Sequence, residues 1–83
     1  MKTEDYHNDC ELLTLLAEDN REAFELLYRR YWHELYDSAY QRLKNSQQAE
    51  DIVQDIFVSI WIRRSGLQIS NLPAYLHAAV RFR

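Results

Sequence analysis

Apolar residues recur along this chain at intervals of three and four, the rhythm of helices that bury one face. Leu12, Leu13 and Leu16 predict a short first helix over about residues 10–18, with Asn8 or Asp9 as cap and Glu11 in its first turn. Asp19 followed by Glu22 has capping-box spacing and opens a second, longest helix reaching about Lys44. Its buried face is predicted from Phe24, Leu27, Tyr28, Tyr31, Leu35, Ala39 and Leu43. A second row, Trp32, Tyr36 and Tyr40, runs beside it at spacing four and is read as packing against a neighbouring helix. Asn45 and Ser46 break the pattern, and Ser46 is the expected cap of a third helix from Gln47 to about Arg63. Residues 64–71 hold the single glycine and read as a loop. Asn71 then caps a fourth helix over 72–83, with Pro73 in the first turn, where a missing N–H costs little. The expected fold is all-α, a compact bundle of about four helices at 10–83 behind a polar tail at 1–9.

On a wheel, the third helix carries more apolar surface than one buried face needs. Ala49, Ile52, Val53, Ile56, Phe57 and Ile60 share one wide arc, the expected core side. Opposite them lie Asp51, Gln54, Asp55, Val58 and Ile62. Acids and an amide at one end of a stripe, with aliphatics at the other, describe a docking surface. Isolated exposed aliphatics are also common without meaning. Trp61, at the border of the two faces, is assigned to the core.

Composition narrows the class. A chain of 83 residues is one domain at most. With 47% hydrophobic and 28% charged residues it is globular rather than disordered. No apolar run approaches membrane-spanning length and the N-terminus is polar, so neither a membrane segment nor a signal peptide is expected. The lone Cys10 suits a reducing cytoplasm. His7 and Cys10, three apart, lack the further ligands a metal site needs, and no cofactor is implied. Asp51 with Asp55, and Glu34 with Asp37, have no activating His, Cys or Ser beside them, which argues against an enzyme.

Charge adds a direction. Net charge is −3, but residues 1–25 hold eight acids against two bases, and the last acid is Asp55. Beyond it the full charges are Arg63, Arg64, Arg81 and Arg83, so the C-terminal part could meet phosphate while the rest faces elsewhere. Arginines near helix C-termini also answer the macrodipole without any ligand.

The block Ala49-Glu50-Asp51-Ile52-Val53-Gln54-Asp55-Ile56-Phe57, followed by Ser59-Ile60-Trp61, resembles region 2.2 of extracytoplasmic-function sigma factors. Ala23-Phe24-Glu25-Leu26-Leu27-Tyr28 with Tyr31 resembles the start of region 2.1. Asn71-Leu72-Pro73-Ala74-Tyr75-Leu76 with Val80-Arg81 is similar to the fourth helix of the iron-transport-regulator-like branch. The resemblance implies that Asp51, Gln54, Asp55, Val58 and Ile62 grip the clamp helices of the core RNA polymerase β′ subunit. It implies that the 64–71 loop captures a flipped base of the non-template strand of the promoter −10 element. Arg64, Ser65, Gly66, Gln68, Ser70 and Asn71 would form that site, with Tyr75 for stacking or packing and His77, Arg81 and Arg83 for phosphate. An anti-sigma factor is a further partner of this family. Region 4, the helix-turn-helix that reads the −35 element, is absent from the chain. The competing reading is a helical protein-interaction adaptor without a nucleic-acid role.

Overall fold

The computed structural model describes residues 8–83, which form four helices: α1 Asp9–Ala17, α2 Arg21–Leu43, α3 Ser46–Ile62 and α4 Leu72–Arg81. Every helix opens on an asparagine whose Oδ1 accepts a backbone N–H three residues on. The pairs are Asn8 with Glu11 (2.8 Å), Asn20 with Ala23 (2.9 Å), Asn45 with Gln48 (2.9 Å) and Asn71 with Ala74 (3.0 Å). Each cap satisfies one of the donors a helix start leaves open. At α1 the Glu11 carboxylate answers back to the Asn8 N–H, completing a capping box.

Three expectations are thereby corrected. The α2 cap is Asn20 rather than Asp19, which sits one residue outside in the left-handed region (φ 68°) where short polar residues are tolerated. The α3 cap is Asn45, and Ser46 is already helical. The first helix starts at Asp9, one residue before the expected start, with Asn8 as its cap. Residues 1–7, including His7 of the His7–Cys10 pair, lie outside the described residues. Between α2 and α3 the chain reverses through Lys44 (φ 53°) and Asn45, so the tight turn uses a left-handed lysine and no glycine.

Helix α2 packs against α1, α3 and α4, and α3 packs against α4. The described residues measure 35 × 31 × 19 Å, and the short dimension is roughly two helix diameters, so the helices make two layers. Rows at spacing four and three supply the core: Leu12 and Leu16 from α1; Ala23, Leu27, Tyr31, Leu35 and Ala39 from α2; Ala49, Val53, Ile56 and Ile60 from α3; Leu72, Leu76 and Val80 from α4. Leu26 and Phe57 complete it, and no buried polar or charged residue lies among them. Phe24, Tyr28 and Ile52 are half-buried at its edge, and Leu43, the last residue of α2, is exposed. Trp61 joins the edge, its ring 5.3 Å from that of Phe24. The second aromatic row is a stack, Trp32 on Tyr36 (5.2 Å) and Tyr36 on Tyr40 (6.1 Å). It packs against the core at Trp32 and Tyr36 and emerges into solvent at Tyr40.

One polar cluster ties α1 to α2. Asp9 accepts hydrogen bonds from the Tyr31 hydroxyl and from Arg30 Nη1 (2.9 Å). Burial, then the hydrogen bond to Asp9 and the charge of that carboxylate, push the Tyr31 phenol well above its ordinary value. A phenol with a raised folded pKa contributes stability that is intact below about pH 10, its unfolded value, and is lost as pH rises beyond it. Alkaline unfolding followed by helical circular dichroism should therefore steepen above about pH 10 in the wild type more than in Tyr31→Phe. Equal slopes would show that the Asp9–Tyr31 bond contributes nothing.

Candidate polymerase and nucleic-acid interface

Because residues three and four apart share a helix face, burying Ala49, Val53, Ile56 and Ile60 forces Asp51, Asp55, Val58 and Ile62 outward. All four are exposed, as is Gln54; Val58 is 54% and Ile62 70% exposed. Asp51 accepts from Gln47 Nε2 one turn earlier (3.0 Å). Asp55 is engaged differently: its Oδ2 lies 2.7 Å from Arg83 Nη1, beyond the end of α4. The stripe thus runs from acids near the start of α3 to an aliphatic end at Ile62.

The connection after α3 begins with a turn at 63–66, closed by the Gly66 N–H on the Arg63 carbonyl (2.9 Å). Gly66 adopts no left-handed conformation, and a Cβ there would meet only the Arg63 carbonyl at 3.9 Å. Neither backbone nor packing requires a glycine at that point. Half-buried Leu67 and Ile69 pin the loop to the core and leave Ser65, Gln68, Ser70 and Asn71 facing solvent. Gln68 lines a cleft of about 390 Å³ between the loop and the Cys10–Glu18 side of α1. The Asn71 Oδ1 is committed to capping α4, so its amide N–H groups are what it can offer a ligand.

Three of the residues assigned to phosphate or the loop site, Arg64, His77 and Arg83, are held by acids from earlier in the chain. Arg64 donates from Nε to Asp19 (2.7 Å) and from Nη1 to the Trp61 carbonyl (2.6 Å), and its guanidinium lies 3.9 Å from the Trp61 ring. It therefore anchors the end of α3 as much as it faces the loop. His77 Nε2 sits 2.5 Å from Glu34 on α2, and Arg83 meets Asp55 on α3. Arg81 is exposed, with its guanidinium 5.7 Å from the ring of Phe82. Tyr75 is half-buried and lines a cleft of about 310 Å³ with Arg63, Ala78, Ala79, Phe82 and Arg83.

Four of these lining residues, Arg63, Ala78, Ala79 and Phe82, were not predicted as site residues. Phe82 is 83% exposed, and Arg63 reaches the same cleft from the end of α3. The nearness of Arg63 to Tyr75 depends on how α4 crosses α3, whereas Phe82 lies two turns beyond Tyr75 on the same helix face, a signal available in the sequence. Arg42 donates from α2 to the Val80 carbonyl (2.6 Å), fixing the end of α4 that carries this group. Among the described residues no cluster of three or more His, Cys, Asp or Glu is placed to hold a metal, and no helix is long and apolar enough to cross a membrane.

Compared with known proteins, the chain matches no curated protein and no solved structure. The sigma-70 region 2 family model matches residues 27–83, from the second turn of α2 through α3, the loop and α4. The match takes in the whole exposed stripe, the polar loop and the α4 cations, and it covers more than half of the sequence. This chain belongs to the sigma-70 region 2 family, whose part in transcription is to bind RNA polymerase and recognise the promoter, and not to act as an enzyme.

Proposed function

We propose that the chain is region 2 of an extracytoplasmic-function sigma factor. In this reading the α3 stripe docks on the β′ clamp helices of core polymerase. The 64–71 loop and α4 receive the non-template strand of the −10 element. The observation that carries the reading is the placement of Val58 and Ile62 in the middle of the outward face of α3, opposite a complete core. Acids beside desolvatable aliphatics suit a partner that is rich in arginine and has an apolar centre. The exposed Ser65, Gly66, Gln68 and Ser70 offer small groups and open backbone for a splayed base, and Arg81 offers charge for phosphate.

Titration of the chain with a β′ clamp-helix fragment, and separately with labelled single strands carrying matched or scrambled −10 sequences, tests both halves. Few cations are available, so single-strand affinity should fall with salt at a slope of about −0.7 per phosphate neutralised, giving a shallow total dependence. Arg81→Glu should weaken all sequences alike, whereas changes at Gln68 or Ser70 should alter preference at one base. Binding of the clamp fragment without any single strand would leave a polymerase-docking module only. Binding of neither would favour the adaptor.

A further inference from the structure

The cleft of about 390 Å³ beside the loop has a second wall, built by α1, that the loop reading leaves unused. Leu67 and Ile69 from the loop and Leu13 from α1 make its apolar floor, each half-buried against the core. Its polar groups stand on opposite sides: Gln68 on the loop, and Thr14 with Glu18 on α1 and its C-cap. The ion pair of Asp19 with Arg64 (2.7 Å) ties the two walls together and answers the charge next to Glu18. Glu18 and Gln68 are exposed, and neither side chain is engaged by another described residue. We infer that this cleft selects an amino base, adenine or cytosine, with the Glu18 carboxylate accepting a hydrogen bond from its exocyclic amine. The inference rests on the DNA half of the reading proposed above and names what α1 adds to that site.

Donor and acceptor chemistry decides which bases fit. On its Watson–Crick edge an amino base offers an N–H donor next to a ring-nitrogen acceptor, whereas guanine and thymine offer a carbonyl next to a ring N–H. An ionised carboxylate can only accept, and the Gln68 amide can donate. Glu18 on one wall and Gln68 on the other therefore complement the amine and the ring nitrogen of adenine or cytosine together. A guanine or thymine carbonyl facing Glu18 would set two acceptors against each other. The Thr14 hydroxyl donates to the Cys10 carbonyl (3.1 Å), so it too presents a lone pair to a ligand. The α1 wall thus accepts and the loop wall donates. Because Glu18 is exposed, the gain is that of one net hydrogen bond, a preference of roughly 2- to 12-fold.

Affinities are measured on the full chain for −10 single strands carrying A, C, G or T at each position in turn. At one position the wild type should bind an amino base roughly 2- to 12-fold more tightly than either keto base, and the A and C arms show which amino base is taken. That base stripped of its amine (purine for adenine, pyrimidin-2-one for cytosine) should bind no better than a keto base. In Glu18→Gln the preference should collapse, because an amide can turn either its oxygen or its NH2 to the base. Losing a negative charge also tightens every strand alike, so the ratio between bases carries the result. A ratio unchanged in Glu18→Gln, a keto preference, or no preference at any position would overturn the inference. Location has its own readout: Cys10 lines the same cleft and is the single cysteine of the chain, so a bound strand should slow its alkylation by iodoacetamide. Strands that bind without slowing alkylation would overturn the role of α1 and leave the loop reading intact. If no strand binds, the DNA half of the proposed function fails and this inference falls with it.

Discussion

Ile56→Ala should destabilise the domain by about 2–5 kcal/mol, the range for a buried isoleucine losing most of its side chain into a cavity that closes only in part. Ile56 is 1% exposed and lies on the α3 face that meets the other buried rows. Because small domains hold only about 5–15 kcal/mol in total, this single change can take the protein close to its unfolding midpoint at room temperature. Urea melts should show a lower midpoint with an unchanged slope. Val58→Ala, two residues on and facing solvent, should cost under about 0.5 kcal/mol. The contrast between the two matters more than either value. A similar cost at both positions would mean that α3 is rotated about its axis, and the docking stripe would fall with the core assignment.

The second large effect is on binding. Asp51→Arg should weaken association with the β′ clamp helices by at least about tenfold, because like charges brought together in an interface cost several kcal/mol. The fold should be spared: Asp51 is exposed, and its one hydrogen bond is to Gln47 on the same helix. Asp51 is a cleaner site for reversal than Asp55, whose substitution also disturbs Arg83. Isothermal titration paired with a thermal melt checks both. Unchanged clamp affinity with an intact melt would remove α3 as the polymerase surface.

Much of the architecture was legible because helix periodicity is a local property. The four helices, the break at Asn45 and the Asn71 cap followed from spacing and capping chemistry, and the outward stripe of α3 followed from the same wheel that placed Val53, Ile56 and Ile60 inside. The misplaced caps have a plain cause. Asp19 and Ser46 are good capping residues standing next to asparagines that took the position, and several adjacent candidates satisfy one spacing rule equally well. Phe24 and Ile52 were expected in the core and lie at its edge, since a wheel gives an angle but not how far each neighbouring helix reaches.

What only the tertiary structure decided was electrostatic. Read along the chain, the stretch after Asp55 is purely basic, which suggested cations waiting for phosphate. Folding places Asp19, Glu34 and Asp55 against Arg64, His77 and Arg83, across separations of 45, 43 and 28 residues (83 − 55 for the last). Helix formation depends on neighbours within about one turn, so sequence spacing reports it directly. Charge pairing depends on distance through space, and that is settled by how the helices pack on one another. The sequence by itself therefore determined which residues face outward, and the packing of the helices determined which of those charges already have a partner.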